Sequence, residues 1–220
     1  MRMAKLSEAA SVPVPTIKYY LREGLLPAGR RTAANQADYG EAHIRRLRLV
    51  RALVEVGGLG MATVREVLAA MDDPRRSLHE VLGTAHWALA GRSTATGALP
   101  VGEEARADVD RFIDELGWTV GPEAPARAEL ARALATLRRL GWPVGAGVFE
   151  RYAQAADRLG AWELDQLPSA ACRPEAVERA VVGTVVFETA LVALRRLAQE
   201  HHSARRFAEP DAGPPPDANG

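Results

Sequence analysis

The fold of the N-terminal region is decided by the stretch Val14-Pro15-Thr16-Ile17-Lys18-Tyr19-Tyr20-Leu21-Arg22-Glu23-Gly24-Leu25-Leu26-Pro27. It predicts one helix that ends at Gly24, because glycine tolerates the left-handed conformation that follows a last helical turn. Ile17 and Leu21 lie four residues apart and predict a buried face. The residues left for other faces combine hydroxyls, cations and an aromatic ring: Thr16, Lys18, Tyr19 and Arg22. This outer surface suits a helix placed in the major groove of DNA, and the alternative is an ordinary solvated amphipathic helix.

A second helix and a hairpin are predicted on either side of this stretch. Before it, the sequence Leu6-Ser7-Glu8-Ala9-Ala10-Ser11-Val12 predicts a short helix and a turn, so the pair has the dimensions of a helix-turn-helix. After it, residues 28–39 contain Arg30, Arg31 and a polar loop, and they predict a β-hairpin wing that ends at Tyr39. Asn35 can adopt the left-handed turn that such a hairpin needs.

Two motifs in this region resemble those of the MerR (mercury-resistance regulator) family of bacterial transcription regulators. Lys18-Tyr19-Tyr20-Leu21-Arg22-Glu23-Gly24-Leu25-Leu26-Pro27 is similar to the family signature (R/K)YY-x-x-x-GLLP. Tyr39 and Arg45-Arg46-Leu47-Arg48-Leu49-Val50 are similar to the family's Tyr and RLRFI run. The resemblance implies a winged helix-turn-helix that binds a palindromic promoter site as a homodimer. It further implies that the dimer distorts double-stranded DNA so that RNA polymerase, an indirect partner, can engage.

The resemblance also implies which residues contact DNA. Phosphate contacts are expected from the cations and tyrosines of the second helix and the wing, and Thr16 is expected to reach base edges. The predicted set is Pro15, Thr16, Lys18, Tyr19, Tyr20, Arg22, Arg30, Arg31, Asn35 and Tyr39. The chain departs from the family at Pro13 and Pro15, where Ser and Arg are usual, and at Asn35-Gln36-Ala37, where Gly-Tyr-Arg is usual. We therefore expect the family's docking mode and a weaker or shifted contact from the wing, whereas the resemblance does not tell which operator is read.

Charge is divided unevenly along the 220 residues. Residues 1–72 contain 11 Lys and Arg and 7 Asp and Glu, a formal charge of +4, whereas the remainder contains 17 and 21, a formal charge of −4. A basic head with an acidic body fits one region that meets phosphates and another that faces solvent or a small ligand. The asymmetry is modest, and it supports the DNA-binding prediction without deciding it.

Composition disfavours several other classes of protein. Cys172 is the single cysteine, which excludes an intramolecular disulfide and a multi-thiolate metal site and fits a reducing cytoplasm. No signal peptide precedes the first helix, and the most apolar run, residues 180–193, is too short and too polar to span a bilayer. Catalytic, metal-binding and cofactor motifs are not recognisable. We therefore expect a cytoplasmic protein that is not an enzyme and carries no cofactor.

The rest of the chain is predicted to be helical. Residues 41–56 and 62–71 predict two helices that complete a DNA-binding domain. The next helix has an apolar seam typical of a coiled coil, at Leu78, Leu82, Ala85 and Leu89. The predicted domains are 1–72 for DNA binding, 73–91 for dimerisation, 92–102 as a linker, 103–206 for effector sensing or dimerisation, and 207–220 as a disordered tail. The fold class is thus all-α dominated, with a small β-wing, a short dimerisation helix and a C-terminal helical bundle.

The aromatic residues of the second half predict a ligand site. They are Trp118, Trp142, Phe149, Tyr152 and Trp162, in a chain with few other rings. Ring-lined cavities between helices bind apolar or planar ligands, and the alternative is that these rings fill the core. Leu116-Gly117-Trp118-Thr119-Val120-Gly121 recurs as Leu140-Gly141-Trp142-Pro143-Val144-Gly145, which predicts like positions for two of the rings at helix ends. We expect a small organic effector, and the alternative function is an architectural DNA-binding protein of the excisionase kind, without a ligand.

Overall fold

The computed structural model describes residues 1–33, 36–90, 102–168 and 173–207. Some predicted features lie outside these described residues, namely Asn35, positions 92–101 of the linker, Cys172 and positions 208–220 of the tail. Phe207, predicted as the first residue of the tail, is instead the last residue of a helix.

The N-terminal region is a winged helix-turn-helix, as the sequence predicts. Its elements are α1 (Met3–Ala10), α2 (Val14–Arg22), β1 (Arg30–Ala33) and β2 (Gln36–Asp38). The two strands pair antiparallel, with Arg30 opposite Asp38 and Arg31 opposite Ala37. The pairing confirms the wing, and its register places the arginines on the strand that follows α2.

The chain leaves α2 through the left-handed turn that the sequence predicts. Gly24 has a φ of +72°, and the amide of Leu25 donates to the carbonyl oxygen of Tyr20 across 2.9 Å. This geometry turns the chain back on the helix, so that Leu25 and Leu26 are buried in the same core as Ile17. The Gly-Leu-Leu sequence therefore ends the helix and fills the space beneath it.

Two further helices complete this core. α3 spans Glu41–Arg51 and continues through a π-helical turn, Ala52–Val56, and α4 spans Met61–Asp72. Leu47 and Val50 on α3 are fully buried. The helix predicted over residues 41–56 is confirmed, with a widened last turn that hydrophobic periodicity does not reveal.

The next helix, α5, spans Leu78–Ala90 and buries its apolar face within its own chain. Val81, Ala85 and Leu89 belong to the core that the winged helix-turn-helix builds. Ala85 and Leu89 of the predicted seam are therefore packed within the chain, whereas Leu78 and Leu82 are only partly buried. The role of this helix in dimerisation stays a prediction. The helix also begins later than predicted, since Ser77 caps it and its amide donates to the Glu80 carboxylate across 2.6 Å.

A second core lies in the C-terminal half. It is built by α6 (Glu103–Glu115), α7 (Pro125–Arg139), a 3₁₀ turn (Ala146–Phe149) and α8 (Glu150–Asp165). The buried residues are Ala105, Val109, Phe112, Ile113, Ala131, Leu134, Ala146 and Ala153. Since α8 contributes only the small side chain of Ala153 to this core, most of its apolar surface stays exposed.

The last helix, α9 (Arg173–Phe207), belongs to both halves of the chain. Its first half enters the N-terminal core through Val177, Val181 and Val185, which follow one another at intervals of four residues. A Cβ placed on Gly57 would lie 2.8 Å from Cγ1 of Val185, so α9 crosses the π-helical turn in close contact. The predicted helical domain of residues 103–206 thus shares the N-terminal core through this row of valines.

The predicted fold class is confirmed. The described residues form helices and one small two-stranded sheet, in the order of a winged helix-turn-helix followed by a helical body. Within the described ranges, none of the helices combines the length and apolar character needed to cross a membrane. Nor do those residues bring together three or more His, Cys, Asp or Glu side chains that could hold a metal ion.

Candidate nucleic-acid interface and aromatic cleft

The outer face of α2 carries the side chains that the sequence predicts for DNA contact. Pro15, Lys18 and Arg22 are exposed, and Thr16 is half-buried. On the opposite side of the helix, Ile17 is fully buried. This burial fixes the rotation of α2 about its axis, because the helix must commit its apolar face to the core and can present only the other face outward.

A basic groove lies between α2 and the wing. We use this name for the concave surface of about 750 Å³ whose polar lining comes from Arg2, Lys18, Arg31 and Gln36, with Tyr39 beside them. Lys18 projects from α2 and Arg31 from β1, so cations from both elements face one space. Such a surface matches a phosphate backbone that runs between a helix in the major groove and a wing. Arg30 is exposed on the same strand.

Sequence reasoning missed the N-terminal residues that anchor the wing. The amino group of Met1 donates to the carbonyl oxygen of Tyr39 across 2.6 Å, and the Tyr39 amide donates back to the Met1 carbonyl across 2.8 Å. Arg2 donates to Oγ1 of Thr32 across 3.0 Å, and its Nε lies 3.7 Å from the Asp38 carboxylate. A single arginine ahead of α1 carries no periodic signal, so only the folded hairpin brings it to the groove.

The rings of Tyr20 and Tyr39 pack into the core, and the contact of these two residues with DNA stays a prediction. Tyr20 is 6% exposed and Tyr39 is 8% exposed. Burial raises the pKa of Tyr20 above its ordinary value, and the charge of Glu55 raises it further. The ring of Tyr39 packs edge-on against His43, with 5.2 Å between the centroids. Of the two adjacent tyrosines, Tyr20 stabilises the core and Tyr19 stays half-exposed.

Arg22 is held in place beside Tyr19. Its guanidinium lies 5.2 Å from the centroid of the Tyr19 ring, and its Nε lies 3.5 Å from the Glu23 carboxylate. That carboxylate is shared with Arg65, whose Nη2 approaches it to 3.1 Å. Since 72% of the Arg22 side chain is exposed, its charge is presented outward at the end of α2.

The arginines of α3 serve the fold more than the surface. Arg48 donates to the carbonyl oxygen of Ala9 across 3.2 Å, and Arg51 donates to that of Ser11 across 3.0 Å. Both cations thereby satisfy carbonyl groups at the C-terminal end of α1. Arg51 also forms a bidentate pair with Glu55, which holds the pKa of that carboxyl below its ordinary value.

A second concave surface, the aromatic cleft, lies where α6, α7 and α8 meet the distal half of α9. We use this name for the cavity of about 930 Å³ whose rings are Trp118, Trp142, Phe149 and Tyr152. The structure thus brings together four of the five aromatic residues that the sequence singles out. Trp142 is 55% exposed and Tyr152 is 57% exposed, so these two rings line an opening and do not fill a core.

The repeated turn sequence explains why two tryptophans reach this cleft. Gly117 has a φ of +70° and Gly141 a φ of +83°, so each ends its helix with a left-handed residue. In both turns the following tryptophan amide donates to the carbonyl oxygen five residues earlier, across 3.3 and 3.1 Å. The two turns have the same geometry, which confirms that Trp118 and Trp142 occupy like positions at helix ends.

Trp162 is not among the residues that line the aromatic cleft, which corrects its prediction as part of one ring-lined site. Its ring packs against Phe187 on α9, with 6.2 Å between the centroids and an angle of 50°. The side chain lies near the other end of α8, too far along the helix to share a cavity with Tyr152. Aromatic composition alone does not reveal this separation, because ten residues of helix span about 15 Å.

A helix-turn-helix with an outward basic helix and a basic groove towards its wing defines a DNA-binding protein of the winged-helix class. The family of MerR HTH regulatory proteins matches residues 1–71. Along most of its length the chain is also similar to the proposed transcriptional regulator SCO5550 of Streptomyces coelicolor A3(2). The two are 41% identical over 96% of this chain and 99% of that chain, with a TM-score of 0.72. The chain belongs to the MerR family of DNA-binding transcription regulators.

Two further relatives are similar to parts of the chain. An HTH-type transcriptional regulator, the ZntR homolog of Haemophilus influenzae, is 38% identical over 50 residues, which are 23% of this chain and 37% of that protein. The match therefore spans well under half of that relative. The transcription regulator PbrR691 of Ralstonia metallidurans CH34, solved in complex with lead(II), is 26% identical over 59% of this chain and 98% of that chain, with a TM-score of 0.39.

Proposed function

We propose that this protein acts in the cytoplasm as a homodimer that binds a palindromic promoter site and distorts it, under the control of a small organic effector. The observation that carries the DNA-binding part is the basic groove, in which Lys18 of α2 and Arg31 of the wing face one space. With α2 in the major groove, Thr16 lies on the face that reaches base edges. The wing then lies along the DNA backbone next to that groove, where Arg30 and Arg31 contact phosphates.

Dimerisation is assigned to the distal half of α9. Leu194 is 62% exposed and Leu197 is 61% exposed, and with Ala190 they follow the four-and-three spacing of a coiled-coil seam. Residues 186–207 span about 33 Å of helix. Two such helices, with the apolar surface of α8 nearby, can approach the roughly 800 Å² per partner that stable interfaces bury. A dimer in turn accounts for a palindromic operator, because twofold symmetry in the protein requires it in the DNA.

Effector control is assigned to the aromatic cleft because α9 contacts both functional regions. Val185 packs at the π-helical turn of the DNA-binding region, and Arg195, about 15 Å further along the helix, borders the cleft. A ligand that repositions α9 would therefore act on both regions through one rigid element. Bending a promoter costs on the order of 1–6 kcal/mol, so a differential binding energy of a few kcal/mol is enough to shift the equilibrium.

The architectural alternative has less support. An excisionase-like protein needs a DNA-binding region alone, whereas this chain carries a second core and a ring-lined cavity of about 930 Å³. Its similarity to a proposed transcriptional regulator also extends over 96% of its length, well beyond the helix-turn-helix. Regulation by a ligand accounts for these additional helices, whereas an architectural role does not.

A footprint of the full-length protein on its own upstream DNA tests this proposal. We expect protection of one palindrome that lies between promoter elements, with bands of enhanced cleavage at its centre where the duplex is distorted. The matched control is the Lys18→Ala/Arg31→Ala variant, which should lose protection at the same concentration. Uniform protection of unrelated DNA, or none at all, would refute sequence-directed binding.

A further inference from the structure

The charges around the aromatic cleft point to the chemical class of its ligand, a step that rests on the effector role proposed above. The lining contains apolar and aromatic residues, one threonine and two arginines, and it contains no aspartate or glutamate. A cationic ligand would therefore meet arginine side chains and no acidic counter-charge among the lining residues. An anionic ligand would instead meet positive charge and no like charge among the lining residues.

One of the two arginines is already neutralised. Arg127 donates to the carboxylate of Asp110 across 2.7 Å and to the carbonyl oxygens of Val120 and Gly121 across 2.8 and 3.1 Å. Its side chain is only 12% exposed. These contacts use the guanidinium to close the turn after α6, so its role is structural.

The other arginine has no such partner among the described residues. Arg195 lies over the ring of Tyr152, with 5.8 Å from its guanidinium carbon to the ring centroid. No described carboxylate lies within ion-pair distance of it. Asp157 contacts a ring of the cleft, since it accepts from Nε1 of Trp118 across 3.0 Å. The ring of Tyr152 thus holds a guanidinium beside the cleft with its donors available.

We propose that the aromatic cleft binds a small organic anion, a carboxylate or sulfonate on a flat apolar body, and that Arg195 supplies its counter-charge. The guanidinium presents paired N–H groups in the geometry that a planar or tetrahedral anion accepts. The rings of Trp118, Trp142 and Phe149 contact the apolar body. Arg195 lies on α9, so an anion that binds to it directly contacts the helix that also packs against the DNA-binding region.

Two fluorescent probes with one ring skeleton separate charge from apolar burial. The anionic probe is 8-anilinonaphthalene-1-sulfonate, and the neutral probe is N-phenyl-1-naphthylamine, which lacks only the sulfonate. Each is titrated into the full-length wild type and three variants. Arg195→Gln removes the proposed counter-charge, Arg196→Gln removes its exposed neighbour about 100° around the helix, and Trp142→Ala removes a wall of the cleft.

We expect Arg195→Gln to raise the Kd of the sulfonate about tenfold and to change that of the neutral probe less than about twofold, since a charge-assisted contact is lost. Arg196→Gln should change neither Kd, and Trp142→Ala should raise both. If Trp142→Ala raises the Kd of both probes and Arg195→Gln changes the two Kd values by the same factor, the anion inference is wrong. The proposal that the cleft binds an effector is then still supported. If neither probe binds the wild type, or Trp142→Ala affects neither, both proposals are refuted.

Discussion

Arg46 on α3 forms a bidentate ion pair with Asp72 at the end of α4, with N–O distances of 2.9 and 2.6 Å. The same guanidinium donates through Nε to the carbonyl oxygen of Leu25, across 3.0 Å. One side chain thus ties the turn after α2 to two helices of the core. The orientation of the DNA-facing helix depends on this link, because Leu25 follows directly on the glycine that ends α2.

Replacing Arg46 by lysine should lower the free energy of unfolding by about 1–2 kcal/mol, since an ammonium group cannot bond both carboxylate oxygens and the carbonyl in that geometry. The matched control is Arg45→Lys, at the exposed neighbouring position, which should change it by less than about 0.5 kcal/mol. Urea unfolding followed by circular dichroism measures both. Equal effects at the two positions would show that the link contributes nothing.

Tyr20→Ala should destabilise the protein by about 3 kcal/mol, because it leaves a cavity where an aromatic ring is buried. Tyr20→Phe keeps the ring and should retain both the melting temperature, within a few degrees, and the affinity for operator DNA. Calorimetry and fluorescence anisotropy measure the two properties. A large loss of DNA affinity in a fully stable Tyr20→Phe variant would show that the Tyr20 hydroxyl contacts DNA.

Leu194→Glu together with Leu197→Glu should convert the dimer to a monomer, since two charges would face each other across the apolar seam of α9. Arg196→Glu, on another face of the same helix, adds a charge without touching the seam and serves as control. Light scattering coupled to size-exclusion chromatography gives the mass directly. A dimer that survives the double substitution would place the interface elsewhere.

Glu129→Gln should raise the melting temperature at pH 7 by about 2 °C and leave it unchanged at pH 4. Burial raises the pKa of Glu129 above its ordinary value of 4.5, and its Oε1 is buried without a described partner. The folded state therefore binds this proton more tightly than the unfolded chain does, so stability is lost as the pH rises from about 4.5 through the folded pKa. Glutamine removes that loss, whereas the control Glu115→Gln, at an exposed position, should leave the melting temperature unchanged at both pH values. A gain of the same size at pH 4 would contradict the assignment to charge.

The local features of the fold were predictable because they depend on neighbours in the sequence. The end of α2 at Gly24, the hairpin wing and the paired turns at Gly117 and Gly141 each follow from residues a few positions apart. The like positions of Trp118 and Trp142 at helix ends also followed, since both residues come directly after the same turn sequence. Periodicity and turn chemistry are enough for features of this kind.

Features set by distant contacts were not predictable. A row of valines in α9 indicates burial, but not that the row packs at Gly57, more than a hundred residues away in the chain. Adjacent tyrosines point in different directions on any helix, and only the packed core decides that Tyr20 is the buried one. The placement of Arg2 beside the wing depends likewise on the hairpin having folded first.

The most direct test of DNA binding through the basic groove is the salt dependence of operator affinity for the wild type and the Lys18→Ala/Arg31→Ala variant. Each phosphate contact contributes about 0.9 to the slope of log Kd against log salt, so the slope of the variant should be smaller by about 2. Arg151→Ala/Arg158→Ala, two exposed positions on α8, should keep the wild-type slope. A Lys18→Ala/Arg31→Ala line parallel to that of the wild type would mean that DNA does not enter the groove.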